Sequence, residues 1–448
     1  MRRLLEETAG RAIAYLEGLE YRQVAPSAAD VEALSALEDP LTEEPVRPDA
    51  VMKILDEVCS PATMAMAGPR FFGFVIGGSL PVTVAANWLA AAWDQNAAFS
   101  RVTPGAALLE RVALSWLIDI LGLPRGCGAG FVTGATMANF TALAAARHVE
   151  LQQAGWNVEA DGLFGAPPIT VVVGEEAHST LFKSLGLLGL GRNRVVRVPV
   201  DGQGRMRADK LPRLSGPTIV CAQAGNVNTG AFDPIQEVCR KAHAAGAWVH
   251  VDGAFGLWAA AAPGRKHLAA GIADADSWAT DAHKWLNVPY DCGLAFVRDP
   301  EALRAAMAIT ADYLPPAGTQ RHPSDYTPEL SRRARGVEVW AALKSLGRNG
   351  VADMVERTCR HAARFAEGLR AAGFDVLNDV VLNQVLVSFG SAEKTGKIIA
   401  DIQADGTCWC GGTVWQGKTA MRISVSSWAT TDADVTRSLE AIIRIARA

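Results

Sequence analysis

The sequence predicts an α/β protein: a mostly parallel sheet covered by helices, a smaller C-terminal α+β domain, and an N-terminal helical arm. Three observations carry that prediction. From about residue 61 to 299, short β-branched runs alternate with longer Ala- and Leu-rich stretches. The runs are apolar throughout rather than alternating, as in strands buried on both faces of a parallel sheet. After about residue 335 the pattern changes to a long helix followed by short strands set between helices.

The elements follow in order. Residues 1–60 form the arm, with apolar positions at helical spacing (Leu4, Leu5, Ala12, Ile13, Leu16) and then Pro26, Pro40, Pro45 and Pro48 in an extended crossover. Residues 61–310 form the large domain, with strands at Ile169-Thr170-Val171-Val172-Val173, Thr218-Ile219-Val220-Cys221, Trp248-Val249-His250-Val251-Asp252 and Leu294-Ala295-Phe296-Val297. Residues 311–335 read as a loop and link, and 336–448 as the small domain. There a helix begins over 336–346, and strands are expected at 374–377, 385–389 and 422–426.

Composition narrows the functional classes. Lys plus Arg is 43 against 47 Asp plus Glu, a formal charge of −4, which favours neither a nucleic-acid groove nor a basic membrane surface. The N-terminus lacks the apolar stretch of a signal peptide, and no window reaches the roughly 18 apolar residues of a spanning helix. The eight cysteines are scattered, as expected of reduced thiols in the cytoplasm. Cys408-x-Cys410 lacks the partner set of a zinc site, so no metal is expected.

In parallel sheets, ligands collect beyond the carboxyl ends of the strands, and several polar residues fall there. Asp252 ends a strand, and Ala254 lies two residues on, on the same face if the extended geometry persists. Taken alone, such an aspartate is more often a turn or capping residue. His178 follows the strand 169–173 across a short turn, where an imidazole could stack on a planar cofactor or act as an acid or base, or simply be a loop histidine bonded to a backbone carbonyl. Thr133-Gly134-Ala135-Thr136-Met137-Ala138-Asn139 opens a helix, where free N–H groups and the dipole favour an anion. Gly186-x-x-Gly189-x-Gly191 runs a dinucleotide fingerprint backwards and is discounted. Asp281-Ala282-His283-Lys284-Trp285 sets a lysine between an imidazole and an indole: either a buried amine able to attack a carbonyl or a surface lysine beside a buried tryptophan.

Together these residues resemble the pyridoxal-phosphate group II amino-acid decarboxylases, on the aspartate-aminotransferase fold (fold type I). The matching pieces are Pro69-Arg70-Phe71-Phe72-Gly73-Phe74, Leu121-Gly122-Leu123-Pro124, the 133–139 stretch, Glu176-Ala177-His178-Ser179, Gly230-Ala231-Phe232-Asp233-Pro234, Val251-Asp252-Gly253-Ala254, Asp281-Ala282-His283-Lys284-Trp285 and Arg422-Ile423-Ser424-Val425-Ser426, in the family's order from about residue 69 to the C-terminus.

The resemblance implies a seven-stranded-type sheet, pyridoxal 5'-phosphate as cofactor and Lys284 as its Schiff-base lysine. It makes Asp252 the partner of the pyridine nitrogen, His178 the stacking imidazole and Ala254 the contact on the opposite ring face. Ala135, Thr136 and His283 become phosphate contacts. Tyr313, in the Pro/Gly-rich stretch after Lys284, resembles the tyrosine of a mobile catalytic loop, and Arg332, Arg333 and Arg335 the basic run behind it. Phe72, Phe74 and Trp93 are candidates for an apolar substrate slot. The implied function is decarboxylation of an L-amino acid by a homodimer with sites at its interface. A carbon–carbon lyase or carbanion-trapping synthase uses the same residues; a non-enzymatic nucleotide-binding or regulatory protein is the remote alternative. The turn Gly225-Asn226-Val227-Asn228-Thr229 and Met137 depart from the family's usual residues.

Overall fold

The structure is a computed structural model that describes residues 1–309 and 321–448. The chain packs as two compact units: residues 1–78, 364–377 and 385–448 in one, and residues 79–363 and 378–384 in the other.

The second unit is built on a seven-stranded sheet. Its strands are β1 (Gly128–Val132), β2 (Thr170–Gly174), β3 (Val196–Val198), β4 (Thr218–Gln223), β5 (Trp248–Asp252), β6 (Ser277–Asp281) and β7 (Gly293–Val297), in the order β1-β7-β6-β5-β4-β2-β3. All neighbours pair parallel except β7, which runs antiparallel to both β1 and β6. The reason lies in the chain between β6 and β7. Residues 282–292 are too few for a helical crossover, so the chain returns antiparallel. Lys284 sits on that short link.

The strands are apolar throughout because helices cover them. Every residue of β5, β6 and β7 is buried. The helix Ala135–Gln153 lies over β6 and β7 and against the helices Ser179–Leu187 and Pro300–Met307. Its alanines (Ala138, Ala142, Ala145, Ala146) bring its backbone close to the sheet, while Leu143, Val171, Val173, Leu181, Leu185 and Ile219 fill one core cluster. Each such aliphatic contributes roughly 1.5–3 kcal/mol on burial, so the sheet is the rigid element on which the strand ends are displayed.

The first unit carries a four-stranded sheet of β8 (Asp375–Val376), β9 (Gln384–Ser388), β10 (Gly411–Trp415) and β11 (Lys418–Ser424), ordered β10-β11-β9-β8. Three of these strands match the expected ones with shifted ends; β10 was not anticipated. Phe71 stacks on Trp409 at 5.0 Å between ring centroids and forms an isolated bridge to it. The helix beginning at Gly336 extends to Ala371, broken at Gly347, whose φ of 59° is left-handed. All eight cysteines are free. No helix among the described residues is long and apolar enough to cross a membrane.

Candidate active site

The parallel strands β5 and β6 end side by side, and their ends are tied together. Asp252 is registered against Ala279; the Gly253 N–H donates to Ala279 O at 2.9 Å, and the Asp281 N–H donates to Ala254 O at 2.9 Å. The buried Asp252 carboxylate is held on both oxygens: Oδ1 accepts from the Ala254 N–H at 3.2 Å and Oδ2 from the Asn139 amide at 3.1 Å. Asn139 lies in the second turn of the helix Ala135–Gln153. That helix start and the two strand ends therefore converge on one place.

On the β6–β7 link, Lys284 Nζ stands 3.0 Å from Asp281 Oδ2. The other oxygen, Oδ1, lies 3.5 Å from His283 Nε2 and accepts no hydrogen bond among the described residues. His283 Nδ1 accepts from the Cys292 N–H at 3.0 Å, and its ring stacks on Tyr290 at 4.3 Å. Burial pushes His283 below the ordinary imidazole value, with Asp281 pulling the other way. A neutral ring that accepts at Nδ1 carries its proton at Nε2. Desolvation, reinforced by Asp281, pushes the Tyr290 phenol up to about 12.

The helix start is pressed against this link. A Cβ on Gly134 would lie 3.2 Å from His283 Cε1, and one on Gly293 would lie 2.4 Å from Gly134 Cα. The first helical bond runs from the Ala138 N–H to Gly134 O, so the N–H groups of Ala135, Thr136 and Met137 have no partner within the helix. This is the anion-binding end expected from the sequence, beside His283.

His178 caps the helix Ser179–Leu187 through Nδ1, which accepts from the Thr180 N–H at 3.3 Å and lies 2.7 Å from Thr180 Oγ1. It lines a small cavity with Asp252, Cys221, Gln223 and Asp233. The ring's backbone partner at Nδ1 is an N–H, not the carbonyl expected of a loop histidine. The unusual Asn226 organises its own turn: Oδ1 accepts from the Asn228 and Thr229 N–H groups at 2.9 and 3.2 Å. Its amide reaches Glu176 O at 3.3 Å, tying that turn to the loop that carries His178.

The remaining sequence candidates are placed as follows. Tyr313 lies outside the described residues. Phe72 is buried in the first unit, edge-on to Phe365 at 5.1 Å; Phe74, exposed, tilts over Trp409 at 5.4 Å. Trp93 is exposed at the end of the helix Pro81–Trp93. Arg332 is buried, donating to Glu110 at 2.8 Å and to Ala97 O and Phe131 O at 3.0 and 2.8 Å. Arg335 pairs with Asp291 at 2.8 Å, and Arg333 with Glu338. Sequence reasoning gave no role to Asn139, His250, Asp281 or Tyr290. The alternation of β5 places His250 on the same face as Asp252, a signal available before the structure.

These groups fit a flat aldehyde that carries a phosphate. Among the described residues, an amine stands beside a carboxylate with one oxygen unbonded, a second carboxylate closes a strand end, and the first N–H groups of a helix have no partner within it. Fold and donor set thus define a cofactor-dependent enzyme of the fold type I kind. The conserved domain of pyridoxal-dependent decarboxylases matches residues 32–390 of this chain. Tryptophan decarboxylase 1 of Oryza sativa subsp. japonica is 27% identical over 419 residues, covering 85% of this chain and 80% of the relative. Phenylacetaldehyde synthase of Petunia hybrida is 26% identical over 347 residues, covering 72% of this chain and 67% of the relative. The crystal structure of Oryza sativa TDC with PLP and tryptamine superposes with a TM-score of 0.91 at 23% identity, covering 100% of this chain and 97% of that one. The chain belongs to the pyridoxal-dependent decarboxylases, lyases that use pyridoxal phosphate to remove carbon dioxide from an amino acid.

Proposed function

We propose that the site described above performs L-amino-acid decarboxylation with Lys284 as the residue that holds the cofactor as an imine. The observation that carries this reading is the convergence of Lys284, Asp281 and His283 with the helix start at Gly134 and the Asp252 strand end. When bound, pyridoxal phosphate supplies the electron sink for the bond cleaved at Cα.

The chain's own groups then do the following work. Asp252, fixed through both oxygens, keeps a proton at the ring nitrogen because a nearby anion favours the charged form. His178 and Ala254 would hold the ring of that group between them. The N–H groups of Ala135 and Thr136, with His283 Nε2–H, would hold its phosphate. Asp281 keeps Lys284 Nζ at the site through its Oδ2. Tyr313 or His178 would supply the proton taken up at Cα.

A second reading has one supporting observation: a relative of similar identity is a phenylacetaldehyde synthase. Product balance separates the two, because a decarboxylase yields one amine per carbon dioxide. Aldehyde with little amine would favour the synthase.

We further infer a homodimer in a reducing, cytoplasmic compartment. The helix Pro81–Trp93 leaves Trp88, Leu89 and Trp93 between 42% and 55% exposed, an apolar surface of the kind partners cover. The eight free thiols support the compartment. Sedimentation equilibrium tests the dimer; a monomer at assay concentration would exclude it.

A further inference from the structure

Behind Asp252 runs a line of buried polar side chains that has no part in the reading given so far. Asn139 Nδ2 donates to Asp252 Oδ2 at 3.1 Å, and Asn139 Oδ1 lies 2.9 Å from His250 Nε2. His250 Nδ1 lies 2.9 Å from Ser277 Oγ, which also accepts from the Trp248 indole N–H at 2.9 Å. Asn139, His250 and Ser277 are fully sealed from water.

The direction of every bond in this line follows from its ends. The Asn139 amide turns its NH2 towards Asp252, because the reverse would set two acceptors face to face. Its oxygen therefore needs a donor, which only a protonated His250 Nε2 supplies. Burial pushes His250 down to about 3, so the ring is neutral and holds one proton. Nδ1 is then an acceptor and takes the Ser277 hydroxyl hydrogen, while the serine lone pair receives the Trp248 N–H. All donors point the same way, from Trp248 to Asp252.

We propose that Asn139 and His250, set by Ser277 and Trp248, are positioning residues that fix the Asp252 carboxylate as an acceptor aimed at the cofactor ring nitrogen. The inference rests on the reading of Asp252 as the partner of that nitrogen. A line of hydrogen bonds polarised one way strengthens its terminal bond, and a buried donor that is removed leaves its partner's full desolvation cost. The titratable groups around Asp252 are Cys221, pushed up by burial and by Asp252 itself, and His178, Glu176 and Asp233, which line the shared cavity.

The test is the pH titration of the ring nitrogen in holoenzyme loaded with 15N-labelled pyridoxal phosphate, followed by its NMR chemical shift. Asn139→Leu and His250→Phe move the deprotonation midpoint to lower pH by about one unit, a tenfold weaker hold on the proton. His250→Gln keeps an N–H for Asn139 and restores most of the midpoint. Asp252→Asn is the control, with the largest displacement. An unmoved midpoint in Asp252→Asn removes the role of Asp252 itself. A moved midpoint there with unmoved midpoints in Asn139→Leu and His250→Phe overturns the relay alone. A displacement in His250→Phe that His250→Gln does not restore assigns the effect to packing and also overturns it. If His250→Phe or Asn139→Leu does not fold, Asn139→Ser, with its smaller side chain, is read by the same criteria.

Discussion

Asp281 and Lys284 form an ion pair 3.0 Å long in which the two partners differ in exposure: 2% of the aspartate side chain is open to solvent and 18% of the lysine. A pair of this kind is costly to break from one side, because the remaining charge stays buried without compensation.

The cofactor-free Lys284→Ala variant should therefore lose roughly 3 kcal/mol, in the range for a broken buried pair. The double variant Asp281→Ala with Lys284→Ala should lose less than the two single losses combined. Thermal melting of the four apo proteins checks this; additive losses would mean that the two side chains are not coupled in solution.

Borohydride reduction of the holoenzyme should attach the cofactor irreversibly to one lysine, and peptide mapping should place it on Lys284. Lys284→Ala should take up no label there and show no turnover. Label on another lysine would move the site.

Asp252→Ala should keep most of the cofactor-binding contacts, since the phosphate end is separate, yet lose roughly 3 kcal/mol of transition-state stabilisation, the scale of one preorganised polar group. The measurement is kcat/KM with cofactor occupancy determined in parallel. Near-normal turnover at full occupancy would exclude the role.

Tyr313→Phe should bind cofactor normally and release amine roughly 10²–10⁴-fold more slowly, the scale of one general acid. Carbon dioxide should then exceed amine as the unprotonated carbon diverts to oxidation or transamination. Equal amine rates in both proteins would exclude Tyr313 as the proton donor.

His250 links stability to acidity. Its folded value of about 3 lies below the ordinary 6.5, so the unfolded chain binds more protons between those limits. Stability should fall as pH drops through that window, at up to about 1.4 kcal/mol per unit. His250→Gln should flatten the slope of melting temperature against pH relative to the unmodified protein. Parallel slopes would mean that His250 is already charged in the folded state.

Much of this was legible beforehand because the large sheet is buried on both faces, so β2, β4, β5 and β7 stand out as apolar runs. β3 is only three residues long, and β10 opens with Gly411-Gly412, so neither carries enough pattern to be read. The packing of residues 1–78 in one unit with the C-terminal sheet leaves no trace in local periodicity. Lys284, Asp252 and the helix start stand out in the sequence because each lies at or just beyond the end of an element. Asn139, His250 and Asp281 carry meaning only through contacts with residues far along the chain. Phe72 is buried edge-on to Phe365, and an aromatic residue reads the same in sequence whether it lines a slot or fills a core.

Redesign of this enzyme meets a hard limit at Gly293. A side chain there would overlap the backbone of Gly134 at 2.4 Å, and neither strand β7 nor the helix start can retreat without moving the sheet itself. Saturation mutagenesis at residue 293 should return glycine alone among active clones.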